Sequence, residues 1–310
     1  MQIYKIKPHQ QYPMITGSVI AIGSFDGLHR GHQKILQKGI EIANRLKRPF
    51  GVLTFSPIPQ TIIYQDFHFL LTTDEEKIRI LKTYPINFLG IIKFTQNLKQ
   101  LEPKVFIYDY IVKPIKPSAI IVGEDHRFGK EGKGNISLLR KLSNEFNFKL
   151  IVVRARKYHS APIKSTRIRE LLILGNVKRA NELLGYPYSI TGKIIKGKGL
   201  GRKIGFPTLN ISIKEKRKLI PSDGVYHICA VLDNKRYNGL LYIGYAPTIN
   251  TQSTQKTIEV HILGKLEKPK SKTITVEFLS WLRPERKFRT IGELKQQISK
   301  DIKKAEVTSG

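Results

Sequence analysis

A chain of 310 residues with 40% hydrophobic and 25% charged residues has the composition of ordinary globular protein and room for two domains that each bury a core. No apolar run reaches the roughly 20 residues that a membrane-spanning helix needs, and a single cysteine, Cys229, excludes an intramolecular disulfide. The abnormal quantity is a formal net charge of +30, from 54 Lys+Arg against 24 Asp+Glu, which admits either an anionic partner or positive charge laid over solvated faces. The charges run along the whole chain, with no basic tail and no zinc-finger cysteines. The second reading is therefore preferred, and specific nucleic-acid binding is not expected. Met1-Gln2-Ile3-Tyr4-Lys5 lacks the pattern of a secretory signal, so the expected location is cytoplasmic.

The first half alternates strands with helices. Residues 18–22 form a short apolar strand that runs into Gly23-Ser24-Phe25-Asp26-Gly27. A helix over 31–47 follows, with Ile35, Leu36, Ile40, Ala43 and Leu46 at helical spacing, and Pro49 stops it before a strand at 51–55. Thr72-Thr73-Asp74-Glu75 caps a helix over 74–81. Strands at 88–92, 119–122 and 150–153 complete the pattern of a parallel sheet covered by helices. Two short helices, 167–174 and 177–184, close on Gly185. The texture then changes to six short strands, 188–196, 208–213, 225–232, 237–243, 257–263 and 273–279, separated by turn residues, which predict a small closed barrel. A last helix over 291–307 puts Ile291, Leu294, Ile298 and Ile302 on one face, toward that barrel. The expected architecture is α/β plus β: a Rossmann-like α/β domain over 1–185, then a six-stranded β-barrel with a C-terminal helix over 186–310.

The most informative stretch is His29-Arg30-Gly31-His32, just after a strand and at the mouth of a helix. Histidines at i and i+3 share one face of the first turn, where free N–H groups and the positive end of the helix dipole favour phosphate. Gly23 and Gly31 let backbone approach a phosphate closely, and Phe25 and Asp26 belong to the same turn. Nucleotidyl transfer needs such preorganised donors at the α-phosphate. The pair alone is also compatible with half a metal site, but no Cys/His cluster follows it. Lys164-Ser165-Thr166-Arg167-Ile168-Arg169 offers a second grip, with Ser165 and Thr166 as hydroxyl donors and Arg169 as a fork, or else an ordinary helix cap with solvated arginines.

In the barrel half, Lys196-Gly197-Lys198-Gly199-Leu200-Gly201-Arg202-Lys203 is a Gly- and Lys-rich loop of the kind that cradles phosphate or is merely flexible. Gly205-Phe206-Pro207-Thr208-Leu209-Asn210 is sharper, because Thr208 and Asn210 face the same side of a strand and can ligate Mg²⁺. Glu259 alternates with apolar Ile258 and Val260, so its carboxylate stands on the polar face of another strand.

Taken together these segments resemble the prokaryotic bifunctional riboflavin kinase/FMN adenylyltransferase (FAD synthetase) family. The likeness extends to Thr54-Phe55-Ser56-Pro57, Leu71-Thr72-Thr73-Asp74-Glu75-Glu76-Lys77, Gly123-Glu124-Asp125-His126-Arg127-Phe128-Gly129, Ile243-Gly244-Tyr245-Ala246-Pro247-Thr248 and Leu282-Arg283-Pro284-Glu285-Arg286-Lys287-Phe288. It implies a nucleotidyltransferase domain followed by a barrel of riboflavin-kinase type, ATP over His29 and His32, and phosphates held by Ser165, Thr166 and Arg169. It also implies Asp125 and Phe128 beside nucleotide or flavin, Mg-ATP on Gly205, Pro207, Thr208 and Asn210, Glu259 as catalytic base, and Arg283 near flavin. FMN would be an intermediate rather than a prosthetic group, and the partners are riboflavin, FMN and ATP. The sequence departs from the family at Ser24, Ile58, His126, Lys164, Leu209 and Gly264. Two other readings stand beside this one: an FAD synthetase whose barrel has decayed to a flavin-binding module, and a basic nucleic-acid-binding protein.

Overall fold

Val-Ile-Ala-Ile at 19–22 is buried along its whole length, as a strand must be when helices cover both faces of its sheet. The computed structural model describes residues 1–64, 66–159, 161–197, 199–245, 256–266 and 269–307; Lys198 and Ala246-Pro247-Thr248 lie outside them. The chain divides into two units, Met1–Ser165 and Thr166–Gly310.

The first unit runs β1 (Gln2–Ile6), β2 (Val19–Ile22), α1 (Arg30–Leu46), β3 (Phe50–Ser56), α2 (Gln60–Ile63), α3 (Asp74–Leu81), β4 (Phe88–Lys93), α4 (Gln96–Lys99), α5 (Pro103–Ile107), α6 (Lys113–Ile115), β5 (Ala119–Gly123), α7 (Ile136–Glu145), β6 (Lys149–Val153), β7 (Lys157–Tyr158) and β8 (Ala161–Pro162). The first six strands form a parallel sheet in the order β1-β4-β3-β2-β5-β6. Winding proceeds from β2 through β3 to β4, then reverses and continues through β5 to β6. In open parallel sheets, ligand sites lie outside the carboxyl ends of the strands at such a reversal. One apolar core, around Leu36, Ile42 and Phe50, packs α1 onto one face; a second, around Phe55, Phe106 and Phe128, fills the other. The edge strand β1 was not expected. It pairs in parallel with β4, and its Gln-Ile-Tyr-Lys-Ile sequence lacks the apolar run of the inner strands because most of it faces solvent.

The second unit contains α8 (Ser165–Ile173, whose first residue closes the first unit), α9 (Val177–Leu184), β9 (Ser189–Ile195), α10 (Leu200–Lys203), β10 (Leu209–Ser212), β11 (Gly224–Leu232), β12 (Lys235–Tyr245), β13 (Lys256–Ile262), β14 (Thr273–Arg283) and α11 (Ile291–Val307). Its six strands close into an antiparallel barrel in the order β10-β13-β12-β11-β14-β9. Leu241, Ile243, Val260, Ile274, Val276 and Phe278 are buried in it. Within this unit Asn181 fastens α9 to the barrel strands. Its Nδ2 donates to Phe278 O at 2.8 Å, and its Oδ1 accepts from Tyr188 N at 2.7 Å, so α9 is fastened to β14 and to the residue preceding β9.

The face of α11 differs in part from the expected one. Ile291 is half exposed, at 50%, whereas Asp301 and Ala305 are buried. Arg283 at the end of β14 donates Nε to both oxygens of Asp301, at 2.8 and 3.1 Å, and Gln297 adds a third bond at 2.9 Å. A buried carboxylate has to stay with its partners, which draws the contact toward the second half of the helix.

Candidate active sites

At the carboxyl end of β2 the chain makes a turn over residues 23–28 and enters α1. His29 is the N-cap of that helix: its backbone is extended, and its Nδ1 accepts from the backbone N–H of His32 at 3.3 Å. An imidazole nitrogen that accepts carries no proton, so the neutral ring bears its hydrogen on Nε2. The rings of His29 and His32 stack at 3.7 Å with 15° between planes, and Phe25 sets its edge against His32 at 5.3 Å. A Cβ on Gly31 would stand 3.0 Å from the His29 ring, so the stack leaves room for glycine there. The remaining N–H groups at the start of α1 and these two rings thus meet where the sheet reverses, an arrangement suited to a phosphate.

The turn itself is strained and tightly held. Phe25 and Leu28 lie in the left-handed region, with φ of 48° and 36°, a conformation non-glycine residues adopt only when their surroundings impose it. Asp26, expected among the phosphate-binding residues, is buried, and its carboxylate accepts from Leu71 N, Thr72 N and the Thr72 hydroxyl at 2.9–3.1 Å. Gly27 N donates to the same Thr72 hydroxyl at 3.1 Å, and the Ser165 hydroxyl donates to Asp26 O at 3.1 Å. Gly23 packs under the Phe25 ring. Thr166 and Arg169, expected to hold phosphate, follow on α8 in the second unit.

Past β5, Asp125 is exposed and its carboxylate lies over Gly123. Phe128 is a core residue against Phe106. Between them, the His126 ring stacks on Phe128 at 5.7 Å with Nε2 buried. Burial pushes the His126 pKa down to about 4 against the opposing pull of Asp125.

In the barrel, Asn210 of β10 stands directly opposite Glu259 of β13, and directly opposed residues share a face. The Thr208 hydroxyl donates to Glu259 Oε2 at 2.9 Å. The glycine loop folds over these side chains: a Cβ at Gly197 would collide with the Asn210 amide, and one at Gly201 would come within 3.2 Å of the Thr208 hydroxyl. Gly205 is in the left-handed region, with φ 89°, and Pro207 O accepts from His261 Nδ1 at 2.9 Å. On the other side of Glu259, its partner in β12 is Tyr242, whose hydroxyl donates to Glu285. Burial first, then that bond and the charges of Glu285, Glu259 and Asp223, raise the Tyr242 pKa. The structure thus brings Thr208, Asn210 and Glu259 together, whereas Arg283 is engaged with Asp301. Tyr242 and Glu285 carried no signal in the sequence beyond an aromatic on a strand and a charge in a charged run.

Two sites of this kind, one at the reversal point of a parallel sheet and one on a small barrel, define a protein that handles nucleotide phosphates twice. The family model for FAD synthetase matches residues 12–167, and that for riboflavin kinase matches residues 184–308. A bifunctional riboflavin kinase/FMN adenylyltransferase from Buchnera aphidicola is 34% identical, over 95% of each chain. One from Bacillus subtilis is 35% identical, over 93% of this chain and 91% of its own. A crystal structure described as a macrolide-efflux protein from Streptococcus pneumoniae superposes with a TM-score of 0.87 at 28% identity, covering 99% of each chain. The chain belongs to the bifunctional riboflavin kinase/FMN adenylyltransferase family. Among the described residues, no helix is long and apolar enough to cross a membrane.

Proposed function

We propose that the barrel phosphorylates riboflavin to FMN and that the α/β unit adenylylates FMN to FAD, both from ATP and in the cytoplasm. One observation carries the reading: a single chain holds both a His-Arg-Gly-His helix start at the sheet's reversal point and Glu259 bonded to Thr208 beside Asn210.

In the barrel, Glu259 takes the proton of the ribityl hydroxyl as that oxygen bonds to the γ-phosphorus, and ADP leaves. Thr208 orients the carboxylate through its hydrogen bond. The donors of Thr208, Asn210 and Glu259 are oxygens grouped on one face, and they suit Mg²⁺, a hard ion that takes few protein ligands and shares the nucleotide's phosphates. Thr208 and Asn210 would hold it. When bound, the ion offsets charge on the transferred phosphoryl group.

In the α/β unit, a phosphate oxygen of FMN attacks the α-phosphorus of a second ATP and pyrophosphate leaves. His29 Nε2, His32 and the first N–H groups of α1 donate to the oxygens on which charge develops. Ser165 keeps the turn in place through Asp26 O, and Asp26 serves the site by clasping residues 71–72 rather than by touching phosphate. Riboflavin incubated with ATP and Mg²⁺ should yield FMN and then FAD on a chromatogram. Supplied FMN converted to FAD, with riboflavin left unchanged, would reduce the reading to adenylyl transfer alone.

A further inference from the structure

Lys77 is a charged residue in the first turns of a short surface helix, yet its side chain is 2% exposed. Burying an ammonium is costly unless it is paired. Its Nζ lies 3.8 Å from Asp74 Oδ1 and 3.5 Å from the Thr54 hydroxyl; burial pushes its pKa down, and the carboxylates of Asp26 and Asp74 oppose that by favouring the ammonium. Thr54, itself buried on β3, donates its hydroxyl proton to Ser24 O at 3.0 Å. With that proton committed, the hydroxyl's lone pairs face the ammonium, and hydrogen bonds in such a chain polarise and strengthen one another. Ser24 precedes Phe25, the first of the two non-glycine left-handed residues in the turn. A buried cation is thereby linked, through one hydroxyl, to the backbone that delivers His29 to the start of α1. The same cation balances Asp26, which ties that turn to residues 71–72.

We propose that Lys77 and Thr54 are positioning residues for adenylyl transfer, the ammonium fixing the Ser24 carbonyl through the Thr54 hydroxyl and so holding the strained turn in its phosphate-binding form. The inference rests on the adenylyl-transfer reading of this unit.

Substitutions at Thr54 test it, because hydroxyl and methyl can be removed separately. Thr54→Val is nearly isosteric and keeps the packing but cuts the relay, whereas Thr54→Ser keeps the hydroxyl and loses the methyl. We expect Thr54→Val to lower kcat for adenylylation of supplied FMN about tenfold, the equivalent of one hydrogen bond to a charged group. Thr54→Ser should stay near the wild-type rate. Lys77→Met should fall about 10–100-fold, the scale of a misplaced catalytic group, and Thr54→Val added to it should cost little more. Riboflavin phosphorylation by the same preparations should stay within about twofold throughout. A purely structural role for Thr54 would spare the isosteric valine and penalise serine. That order, or a Thr54→Val enzyme with unchanged kcat, overturns the inference even if Lys77→Met fails to fold. Wild-type protein unable to convert FMN to FAD would instead remove the reading beneath it.

Discussion

The Thr208 hydroxyl donates to Oε2 of Glu259 across 2.9 Å, joining residues 51 positions apart at the seam of β10 and β13. Strand alternation alone puts each of them on a polar face; the closure of the barrel makes those faces the same one. A general base supplies about 10²–10⁴ in rate. Glu259→Gln keeps the shape and an oxygen for Thr208, so riboflavin kinase turnover should fall by about that factor while supplied FMN is still adenylylated. Glu277→Gln on β14, where the carboxylate serves Arg236 instead, is the control and should be mild. Kinase turnover unchanged in Glu259→Gln would return this residue to an ordinary surface position.

His29 does two jobs that substitution can separate. As N-cap of α1 it accepts from His32 N through Nδ1, and in the function proposed above its other nitrogen donates toward phosphate. His29→Ala should lose both, with a stability cost of about 0.5–2 kcal/mol from the missing cap. Asn is a good capping residue, so His29→Asn should recover most of that stability but not FAD synthesis. Thermal unfolding and FMN adenylylation measured on both variants check this; recovery of activity along with stability would show that capping was the whole contribution.

Much of this architecture was legible because period and punctuation agree. Thr72-Thr73-Asp74-Glu75 announces the helix Asp74–Leu81, and the structure closes that start with a capping box between Thr73 and Glu76. The six barrel strands are each bounded by turn residues. The edge strand β1 was hidden because only one of its residues is buried, leaving no apolar run to read. Lys77 was hidden for the opposite reason: its place in Asp-Glu-Glu-Lys carries no apolar signal, and the fold shows that it points inward at Thr54. Asp301 escaped likewise, lying among the lysines of a helix whose isoleucines drew the expected contact face. Charged groups buried against partners distant in sequence leave no periodic trace.

Arg283 and Asp301 offer a test of how that last helix is fastened. The Asp301 side chain is 1% exposed and Arg283 is its cation, so removing the carboxylate strands a largely buried guanidinium. Asp301→Ala should destabilise the barrel unit by about 3–5 kcal/mol, the cost of breaking a buried pair from one side. A denaturant titration followed by Trp281 fluorescence reports on this unit, because Trp281 is its own residue on β14. A shift equivalent to less than about 1 kcal/mol, the scale of a surface pair, would mean that the guanidinium finds water instead.

His126 makes the stability of the first unit depend on acid in a definite direction. Burial, opposed by Asp125, sets its folded pKa at about 4 against 6.5 for a free imidazole. Between those values the unfolded chain binds a proton that the folded chain does not, so stability rises with pH across the window and is lost as pH falls through it. At about 1.4 kcal/mol per pH unit the whole gap amounts to roughly 3 kcal/mol, present above pH 6.5 and gone near pH 4. Carboxylates elsewhere also titrate in this range, so the wild-type curve alone does not isolate the imidazole. The difference between wild type and His126→Phe does, because Phe keeps a ring against Phe128 and binds no proton. Unfolding free energies measured from pH 7 to 4 should show the wild type losing up to about 3 kcal/mol more than the variant, with most of the divergence below pH 6.5. Two curves that run parallel over that range would show that His126 takes up its proton equally well in the folded protein, and that the ring is far more solvated than its place beside Phe128 indicates.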